Sequence, residues 1–333
     1  MLAGFEHQFS LSRAVPSRIG AQRQFPVGKI IGFSLGAVLS LFVEWAGMAA
    51  EVTVVNNVLG PEGPLWVEGN LYYVGFTSST LCKWDGKTNI VLNSAVGCGH
   101  NGLVLTKQKT LLVACDDIHG AILELDLNGK ELRRWETDSA GHKLDGGIND
   151  IVITANGGMY ATLSGPFVDP PVEVMGKILY RAPGGDQWAV VAADLNYANG
   201  IGVSPDQKTL YVSETVGNCI LKYTINPDGT LGHRSNFALL NVLIKNKVEG
   251  WWTGPDSLKI DREGNLYVAQ LFCGRVLKLS RAGRLLHVFE ITAGNGPTNV
   301  AFDESEQNLY VTVIKDVSDP QCKGCIVKIP NVK

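Results

Sequence analysis

The sequence predicts an all-β protein, a six-bladed β-propeller whose N-terminal strand closes the last blade, and three observations support this fold class. A short strand motif recurs six times along the chain. A second strand follows each copy, and no segment after residue 51 has a sustained helical period. One further strand, near the start of this region, belongs to no blade. With 333 residues, 45% of them hydrophobic, the chain can bury one large core.

The recurring motif is a small or polar residue followed by Leu-Tyr-Val or a close variant. Its six copies are marked by Tyr72, Leu112, Tyr160, Tyr211, Tyr267 and Tyr310. Successive markers lie 40 to 56 residues apart, which is the length of a propeller blade. The strand after each marker is rich in β-branched and aromatic residues, as in Ile220–Tyr223. Two separate sandwiches would not explain one register repeated six times, so we expect a single ring.

The ring is expected to close between the two ends of the propeller region. The sixth blade has no fourth strand after Ile329, whereas Glu51–Val55 is a strand without a blade. Pairing the two would remove the open edges of the ring. We therefore assign residues 51–333 to one propeller domain.

The first fifty residues have the pattern of an export signal. A basic stretch runs to Lys29 with a single acidic residue, Glu6. An uncharged apolar run follows from Ile30 to Val43, and small residues follow it at 47–50. The apolar run is shorter than the roughly 20 residues that a membrane span needs. We expect residues 1–50 to be a cleaved signal peptide and the protein to be exported, either periplasmic or secreted; an uncleaved membrane anchor and an organelle transit peptide are the alternatives.

Charge and cysteine usage limit the partners and the redox chemistry. The net charge is −3 and no Lys/Arg run follows residue 50, so nothing supplies the basic surface that nucleic acid requires, and no stable protein partner is implied.

Seven cysteines leave at least one unpaired, and most lie in apolar segments, where a thiol behaves as a small hydrophobic group. Cys322 and Cys325 have a short, regular spacing, and we expect a local disulfide between them or two buried thiols.

Each marker is preceded by an inner strand, and the starts of these six strands carry polar residues. The first residue of each strand lies 10 to 12 positions before its marker. These first residues are Glu62, Asn101, Asn149, Asn199, Asp256 and Thr298. Because the innermost strand of each blade lines the channel, equivalent starts form a ring at one mouth. A single Asn or Asp often starts a strand after a turn, but six polar residues in register predict a site.

The predicted ring has the donor set of a hard cation. It offers carboxylate and amide oxygens and no Cys or His. We expect Glu62, Asn149, Asn199 and Asp256 to be direct ligands of a divalent metal, with water or substrate completing its coordination. Ca²⁺ is the first expectation, with Mn²⁺, Mg²⁺ or Zn²⁺ as alternatives, although Zn²⁺ prefers nitrogen or sulfur ligands.

Four short motifs stand in the order and blade positions of a known family: Glu62–Pro64, Asn149–Asp150, Asn199–Asp206 and Pro255–Val268. With these motifs, nearly all of residues 51–333 resembles the regucalcin/gluconolactonase family of metal-dependent lactonases. The resemblance implies a six-bladed propeller that holds Ca²⁺ or another divalent ion at the four residues proposed above as ligands. It also implies a hydrolase that opens a small-molecule lactone or ester, often a sugar lactone.

A mechanism follows from this resemblance. The metal would polarise the lactone carbonyl, and Asp256 would be the catalytic base that takes a proton from the attacking water. Asn101, His100 and Trp252 are the expected substrate-binding residues. His100 could protonate the leaving alkoxide or be a rim residue that binds nothing. Asp150 is expected to face away from Asn149 and to order neighbouring backbone.

The sequence departs from the family pattern close to the ring. Gly147 stands where Arg is common, Ser257 where Gly is usual, and Ala198 where Pro often precedes the Asn. Specificity for sugar-acid lactones therefore does not follow. The loop Phe167–Pro171 and the pair Trp251–Trp252 suggest an aromatic pocket for a less polar ester, unless these tryptophans pack between blades.

Three other functions fit the same fold. A phosphotriesterase would use the same metal and the same polarised oxygen. A non-enzymatic binding propeller with a structural metal and a synthase-like propeller without metal are the other two. A scaffold has no reason to concentrate Glu62 and Asp256 at one mouth, where like charges repel unless a cation lies between them. We therefore prefer a lactone or ester hydrolase.

Overall fold

The computed structural model describes residues 50–333, and their regular structure is almost entirely β-strand. Six antiparallel sheets follow one another along the chain. The one helix in this part of the chain, α1 (Leu240–Leu243), is a single turn, and no helix there is long and apolar enough to cross a membrane. The expected signal segment lies outside the described residues, except for Ala50.

The first three blades are built from the strands β2 to β14. Their bounds are β2 Pro61–Val67, β3 Asn70–Gly75, β4 Thr80–Trp84 and β5 Asn89–Ser94 in blade one; β6 His100–Leu105, β7 Leu111–Cys115, β8 His119–Leu125, β9 Glu131–Trp135 and the short β10 Leu144–Asp145 in blade two; and β11 Ile148–Ile153, β12 Met159–Leu163, β13 Gly176–Arg181 and β14 Ala189–Leu195 in blade three.

The last three blades are built from β15 to β25, and β1 completes the sixth. Their bounds are β15 Ala198–Val203, β16 Thr209–Glu214, β17 Cys219–Ile225 and β18 Leu231–Leu239 in blade four; β19 Pro255–Ile260, β20 Leu266–Gln270, β21 Arg275–Leu279 and β22 Leu285–Glu290 in blade five; and β23 Gly296–Phe302, β24 Asn308–Ile314, β25 Lys323–Pro330 and β1 Val52–Leu59 in blade six.

The six-bladed propeller predicted from the repeats is confirmed, and so is its closure. β1 pairs antiparallel with β25 at the outer edge of blade six. In that ladder Val52 lies opposite Lys328 and Thr53 lies opposite Val327. The strand that belonged to no blade is therefore the fourth strand of the last one.

The marker tyrosines pack between neighbouring blades. Tyr160 and Tyr267 are fully buried, and each belongs to a cluster that includes strands of the following blade. Their hydroxyl groups donate hydrogen bonds to the carbonyl oxygens of Gly229 at 2.7 Å and Val332 at 3.0 Å. Burying a large apolar side chain stabilises a fold by about 1.5–3 kcal/mol, so the repeated motif supplies the core that joins the blades.

Every inner strand is irregular at its start, where the ring residues lie. The ladder to the second strand skips residues between Glu62 and Leu65 in blade one and between Ala198 and Ile201 in blade four. Corresponding skips occur in the other four blades. A bulge bends a strand and re-aims its side chains, and bulges are common beside active sites. Six equivalent irregularities thus occur at the mouth of the channel.

Candidate metal centre at the channel mouth

The inner strands bring the predicted ring residues together around the propeller axis. Each inner strand contacts those of the neighbouring blades, in the order β2, β6, β11, β15, β19, β23 and back to β2. All six ring residues are at most 7% exposed: Glu62, Asn101, Asn149, Asn199, Asp256 and Thr298. Polar side chains buried in this way need partners, and those partners differ around the ring.

Blade six contributes to the ring through Asn299 as well as Thr298. The Thr298 hydroxyl donates to the carbonyl oxygen of Pro61 at 2.8 Å and thereby joins blade six to blade one. The Asn299 amide donates to Glu62 Oε2 at 3.0 Å, and the Gly63 N–H donates to the same oxygen at 3.0 Å. Glu62 is therefore held in place by two hydrogen bonds, while Thr298 is used to hold the blades together.

The two predicted carboxylate ligands disfavour each other's charge. Burial is the largest cause that raises the pKa of Glu62, to about 7, against hydrogen bonds from Gly63 and Asn299 that lower it. Burial also raises the pKa of Asp256 well above its ordinary value, and the charge of Glu62 is the next cause. The attraction of a cation between these two carboxylates would offset both the desolvation cost and the repulsion.

A third carboxyl group, Asp116, reaches the ring and was missed from the sequence. It follows β7 directly, and its Oδ2 accepts hydrogen bonds from the Asn101 amide at 3.1 Å and the Asn149 amide at 3.3 Å. Burial raises the pKa of Asp116 to about 7, and the charge of Glu62 contributes in the same direction. Asp116 therefore adds a third, partly buried acid to the two that the strand starts predicted.

One sequence signal could have located Asp116. His100 lies opposite Cys115 in the β6–β7 ladder, so the residue after β7 lies beside the start of β6. The equivalent residue of blade four, Thr215, likewise reaches the ring and accepts a hydrogen bond from the Asn199 amide at 3.2 Å. Aligning the residues that follow the second strands would have revealed this additional set of side chains.

Gly147 is the position that leaves room for Asp116. Its φ is +84°, and a Cβ atom there would overlap Asp116 Oδ1. A substitution at this position would thus strain the backbone and displace the carboxylate. Gly147, which stands where Arg is common in the family, is therefore what leaves room for Asp116 at the ring.

Asp150 links two blades below the ring. Its Oδ2 accepts hydrogen bonds from the Ser257 hydroxyl at 2.7 Å and from Lys259 Nζ at 3.0 Å, both in blade five. Its Oδ1 accepts the Ile151 N–H at 2.9 Å, so it also orders neighbouring backbone as expected. Gly200 of blade four allows this approach, because a Cβ atom there would overlap the Ser257 backbone. Ser257, the second departure from the family pattern, is thus a partner of Asp150.

Three aromatic side chains form a wall beside the ring. Phe167, Tyr197 and Trp252 come from three different loops, and the ring centroid of Trp252 lies 4.0 Å from that of Phe167 and 4.9 Å from that of Tyr197. Burial raises the pKa of Tyr197 well above its ordinary value, and the charges of Asp116 and Asp256 add to the effect. Tyr197 therefore lies within the electrostatic influence of the ring acids, while Phe167 is 57% exposed.

His100 is fully buried beside Asn101. Neither of its ring nitrogens has a hydrogen-bond partner within residues 50–333. Burial, with a smaller effect from the charge of Arg134, lowers the pKa of His100 to about 4. The imidazole is therefore neutral near pH 7.

A disulfide bond lies next to the ring, at a position that the sequence did not predict. Cys98 is bonded to Cys115, which is followed by Asp116. The expectation of a local disulfide between Cys322 and Cys325 is wrong, because both are free thiols in the structure. Only Cys325 of these two is buried, so the alternative of two buried thiols is met in part.

The residues present fit a hard divalent cation. No group of three or more His, Cys, Asp or Glu side chains in the described part of the chain is placed to hold a metal, so a cation here would depend on amide oxygens as well as carboxylates. Asn199 Oδ1 is buried without a hydrogen-bond partner in residues 50–333, which is costly for an amide oxygen unless a ligand supplies the partner. Oxygen donors of both kinds are what Ca²⁺ prefers.

The fold and the site together define a six-bladed propeller with carboxylate and amide side chains gathered at one mouth of its channel. The family model described as SMP-30/Gluconolactonase/LRE-like region matches residues 60–315. The chain belongs to this family, and the resemblance drawn from its motifs is confirmed.

Individual relatives and solved structures cover most of the chain. The 6-deoxy-6-sulfogluconolactonase of Pseudomonas putida is 28% identical over 283 residues, which are 81% of this chain and 90% of that protein. A gluconolactonase structure from Xanthomonas campestris is 26% identical with a TM-score of 0.68 and covers 85% of this chain and 89% of that one. The calcium-binding protein regucalcin of Agrobacterium tumefaciens is 20% identical with a TM-score of 0.68, covers 84% and 93% respectively, and supports the fold alone.

Proposed function

We propose that this protein is a metal-dependent lactonase that opens a small cyclic ester to a hydroxy acid. The observation that carries the proposal is the convergence of Glu62 and Asp256, both buried and both with raised pKa values, beside the unpaired Asn199 Oδ1. Relatives named as a sulfogluconolactonase and a gluconolactonase support lactone hydrolysis as the reaction.

The proposed ligands are Glu62, Asn149, Asn199 and Asp256, with Ca²⁺ as the preferred ion. Mn²⁺ and Mg²⁺ accept the same oxygen donors, and Zn²⁺ is the least suited to them. When bound, a divalent ion supplies Lewis-acid polarisation of the lactone carbonyl and favours ionised carboxylates around it. Asn299 keeps Glu62 turned into the ring, since it donates a hydrogen bond to Oε2 at 3.0 Å.

The proton transfers are assigned to Asp256. Its carboxylate accepts a proton from the attacking water as the water oxygen bonds to the carbonyl carbon. When the ring C–O bond breaks, Asp256 returns that proton to the leaving alkoxide, so water and lactone give one hydroxy acid. His100 is not assigned this role. Its side chain is fully buried and its pKa is about 4, so near pH 7 the imidazole lacks the additional proton that a general acid would give to the alkoxide.

Binding of the substrate is assigned to Asn101 and the aromatic wall. Trp252 is 6% exposed and packs against Phe167 and Tyr197, so it backs the apolar wall, and its buried Nε1 lacks a hydrogen-bond partner in the described residues. Phe167 and Tyr197 extend the apolar face. A lactone with an apolar substituent would bury it here, at about 25 cal/mol for each Å² removed from water.

Hydrolysis of γ- and δ-lactones after chelation, and after adding back single divalent ions, tests this function. We expect turnover to vanish with chelator and to return with Ca²⁺ or another single metal. Metal binding without lactone turnover would refute the lactonase proposal. Turnover of a phosphotriester under those conditions would identify the alternative hydrolase, and its absence would favour a binding propeller with a structural metal.

We also propose that residues 1–50 direct export, with an uncleaved membrane anchor as the alternative. The bond between Cys98 and Cys115 supports export, because disulfides persist mainly in oxidising compartments. N-terminal sequencing of the mature protein tests this proposal. A mature chain that begins upstream of Ile30 would contradict cleavage of a signal peptide.

A further inference from the structure

Thr215 lies at the junction of blades four and five, directly after β16, and is 1% exposed. Its hydroxyl donates a hydrogen bond to the carbonyl oxygen of Pro255 at 2.8 Å and accepts one from the Asn199 amide at 3.2 Å. Because Pro255 precedes Asp256, this hydroxyl contacts one proposed ligand and holds the backbone beside another. A Cβ atom at Gly254 would overlap the Thr215 carbonyl oxygen, so the two segments are also in close backbone contact.

The hydrogen bond to Pro255 determines which end of the Asn199 amide can face Thr215. A hydroxyl group has one proton to donate, and the carbonyl oxygen of Pro255, which can only accept, takes it. Toward Asn199 the hydroxyl therefore presents a lone pair, which accepts an N–H group and repels an amide oxygen. The nitrogen of the Asn199 side chain is thus turned to Thr215, and Oδ1 is left buried without a hydrogen-bond partner in residues 50–333.

We propose that Thr215 is a positioning residue that presents the side-chain oxygen of Asn199, and not its nitrogen, to the divalent ion. The inference rests on the metal-dependent function proposed above and adds to it a residue that acts through a ligand. An amide nitrogen carries two protons and offers no lone pair to a hard cation, so Asn199 in the reverse orientation would not be a ligand. Removing a group that orients a metal ligand typically lowers metal affinity about 10-fold to 100-fold.

The ring contains a second example of this arrangement. The Asn149 amide donates to Asp116 Oδ2 at 3.3 Å, and Asp116 follows β7 as Thr215 follows β16. Both proposed amide ligands are therefore held by the residue after a second strand. Thr215 gives the sharper test, because its hydroxyl can be removed without a change of charge.

Calorimetry of Ca²⁺ binding to the folded variants tests the inference independently of lactone turnover. Thr215→Val keeps the shape of the side chain and removes the hydroxyl, and we expect its dissociation constant for Ca²⁺ to rise about 10-fold to 100-fold. Thr215→Ser keeps the hydroxyl, so its dissociation constant should stay within about threefold of that of the unsubstituted protein. Circular dichroism checks folding, and Thr215→Ala replaces Thr215→Val if that variant does not fold.

The matched control is Thr154→Val, which removes a buried hydroxyl at the opposite end of β11 from the ring. Thr154 follows the last residue of β11, is 8% exposed and donates to the carbonyl oxygen of Gly158 at 2.8 Å. Loss of this hydrogen bond should lower stability, because the carbonyl group loses its partner. The dissociation constant for Ca²⁺ should not change.

Replacing Asn199 by Asp separates the orientation of the ligand from its packing. A carboxylate presents oxygen at both ends, so the orientation that Thr215 imposes no longer matters in this background. We therefore expect Thr215→Val to change the dissociation constant of Asn199→Asp by less than about threefold, against about 10-fold to 100-fold when Asn199 is present.

An unchanged dissociation constant in Thr215→Val would overturn the inference alone, and Asp256, a second acceptor near the same amide, would then orient Asn199. An equal loss of affinity in Thr215→Ser or in Thr154→Val would overturn it too. So would a full effect of Thr215→Val in the Asn199→Asp background, because the hydroxyl would then act through packing. If the unsubstituted protein binds no divalent ion, the metal-dependent function fails and the inference fails with it.

Discussion

Replacing Glu62 by Gln is expected to stabilise the metal-free protein and to leave little difference in stability when a divalent ion is bound. Burial, the largest cause, raises the pKa of Glu62 from 4.5 to about 7. Because the folded pKa lies above the unfolded one, the unfolded chain loses this proton first as pH rises, and the native state loses stability between about pH 4.5 and pH 7. One pKa unit corresponds to about 1.4 kcal/mol, so the ionised group costs the metal-free protein roughly 3 kcal/mol at pH 8.

The Gln side chain keeps the contacts of Glu62 and removes its charge. Its carbonyl oxygen can accept the hydrogen bonds that Asn299 and Gly63 donate to Oε2. In EDTA at pH 8 the variant should therefore be more stable than the unsubstituted protein, by up to about 3 kcal/mol. With Ca²⁺ at 100 times its dissociation constant, the unsubstituted protein gains about 2.7 kcal/mol, whereas the variant should gain much less because it lacks one carboxylate ligand.

Urea denaturation followed by tryptophan fluorescence measures both effects. The matched control is Glu173→Gln, an exposed glutamate outside the ring, which should leave both free energies of unfolding within about 0.5 kcal/mol. A Glu62→Gln variant that is clearly less stable in EDTA would refute the cost assigned to the buried charge. Equal stabilisation of both proteins by Ca²⁺ would refute Glu62 as a ligand.

Three further predictions concern the base, the aromatic wall and the disulfide. Asp256→Asn should lower lactone turnover roughly 100-fold to 10,000-fold while calorimetry still detects metal binding, and full turnover in the metal-bound variant would exclude Asp256 as the base. Phe167→Ala should raise KM about tenfold for alkyl-substituted lactones but not for unsubstituted ones, whereas Trp251→Ala, also exposed but outside the wall, should change neither. Replacing both Cys98 and Cys115 by Ser should lower the free energy of unfolding by about 3 kcal/mol, since the bond spans 17 residues, and dithiothreitol should destabilise the unsubstituted protein but not this variant.

The propeller and its ring could be predicted because both follow from repeated local rules. The marker tyrosines are buried between blades, so the same apolar pattern had to recur in each of them. The ring residues begin equivalent strands, so their distance to the marker is nearly constant. Neither inference requires knowledge of which strands contact one another across the chain.

Asp116 and the disulfide could not be predicted in that way, because they depend on strand register and on which chain segments contact one another after folding. Asp116 reaches the ring through the pairing of His100 with Cys115, and a shift of one residue would turn its side chain to the other face. The connectivity of seven cysteines is not determined by their spacing, and the regular pair, Cys322 and Cys325, remains reduced. The bulges that re-aim the ring residues leave no distinct pattern in the sequence either.

The closure of blade six makes the two ends of the propeller depend on each other. Val52 pairs with Lys328, so the last sheet is complete only when chain segments from both ends are present. Such a long-range contact slows folding, and until it forms β25 has an unpaired edge next to the apolar residues Ile326 and Ile329. Removing β1 would therefore open the ring, expose that edge and favour aggregation. For protein production, a fusion partner or a new start site belongs ahead of Glu51, whose carboxylate also accepts a hydrogen bond from the Thr292 N–H at 3.0 Å.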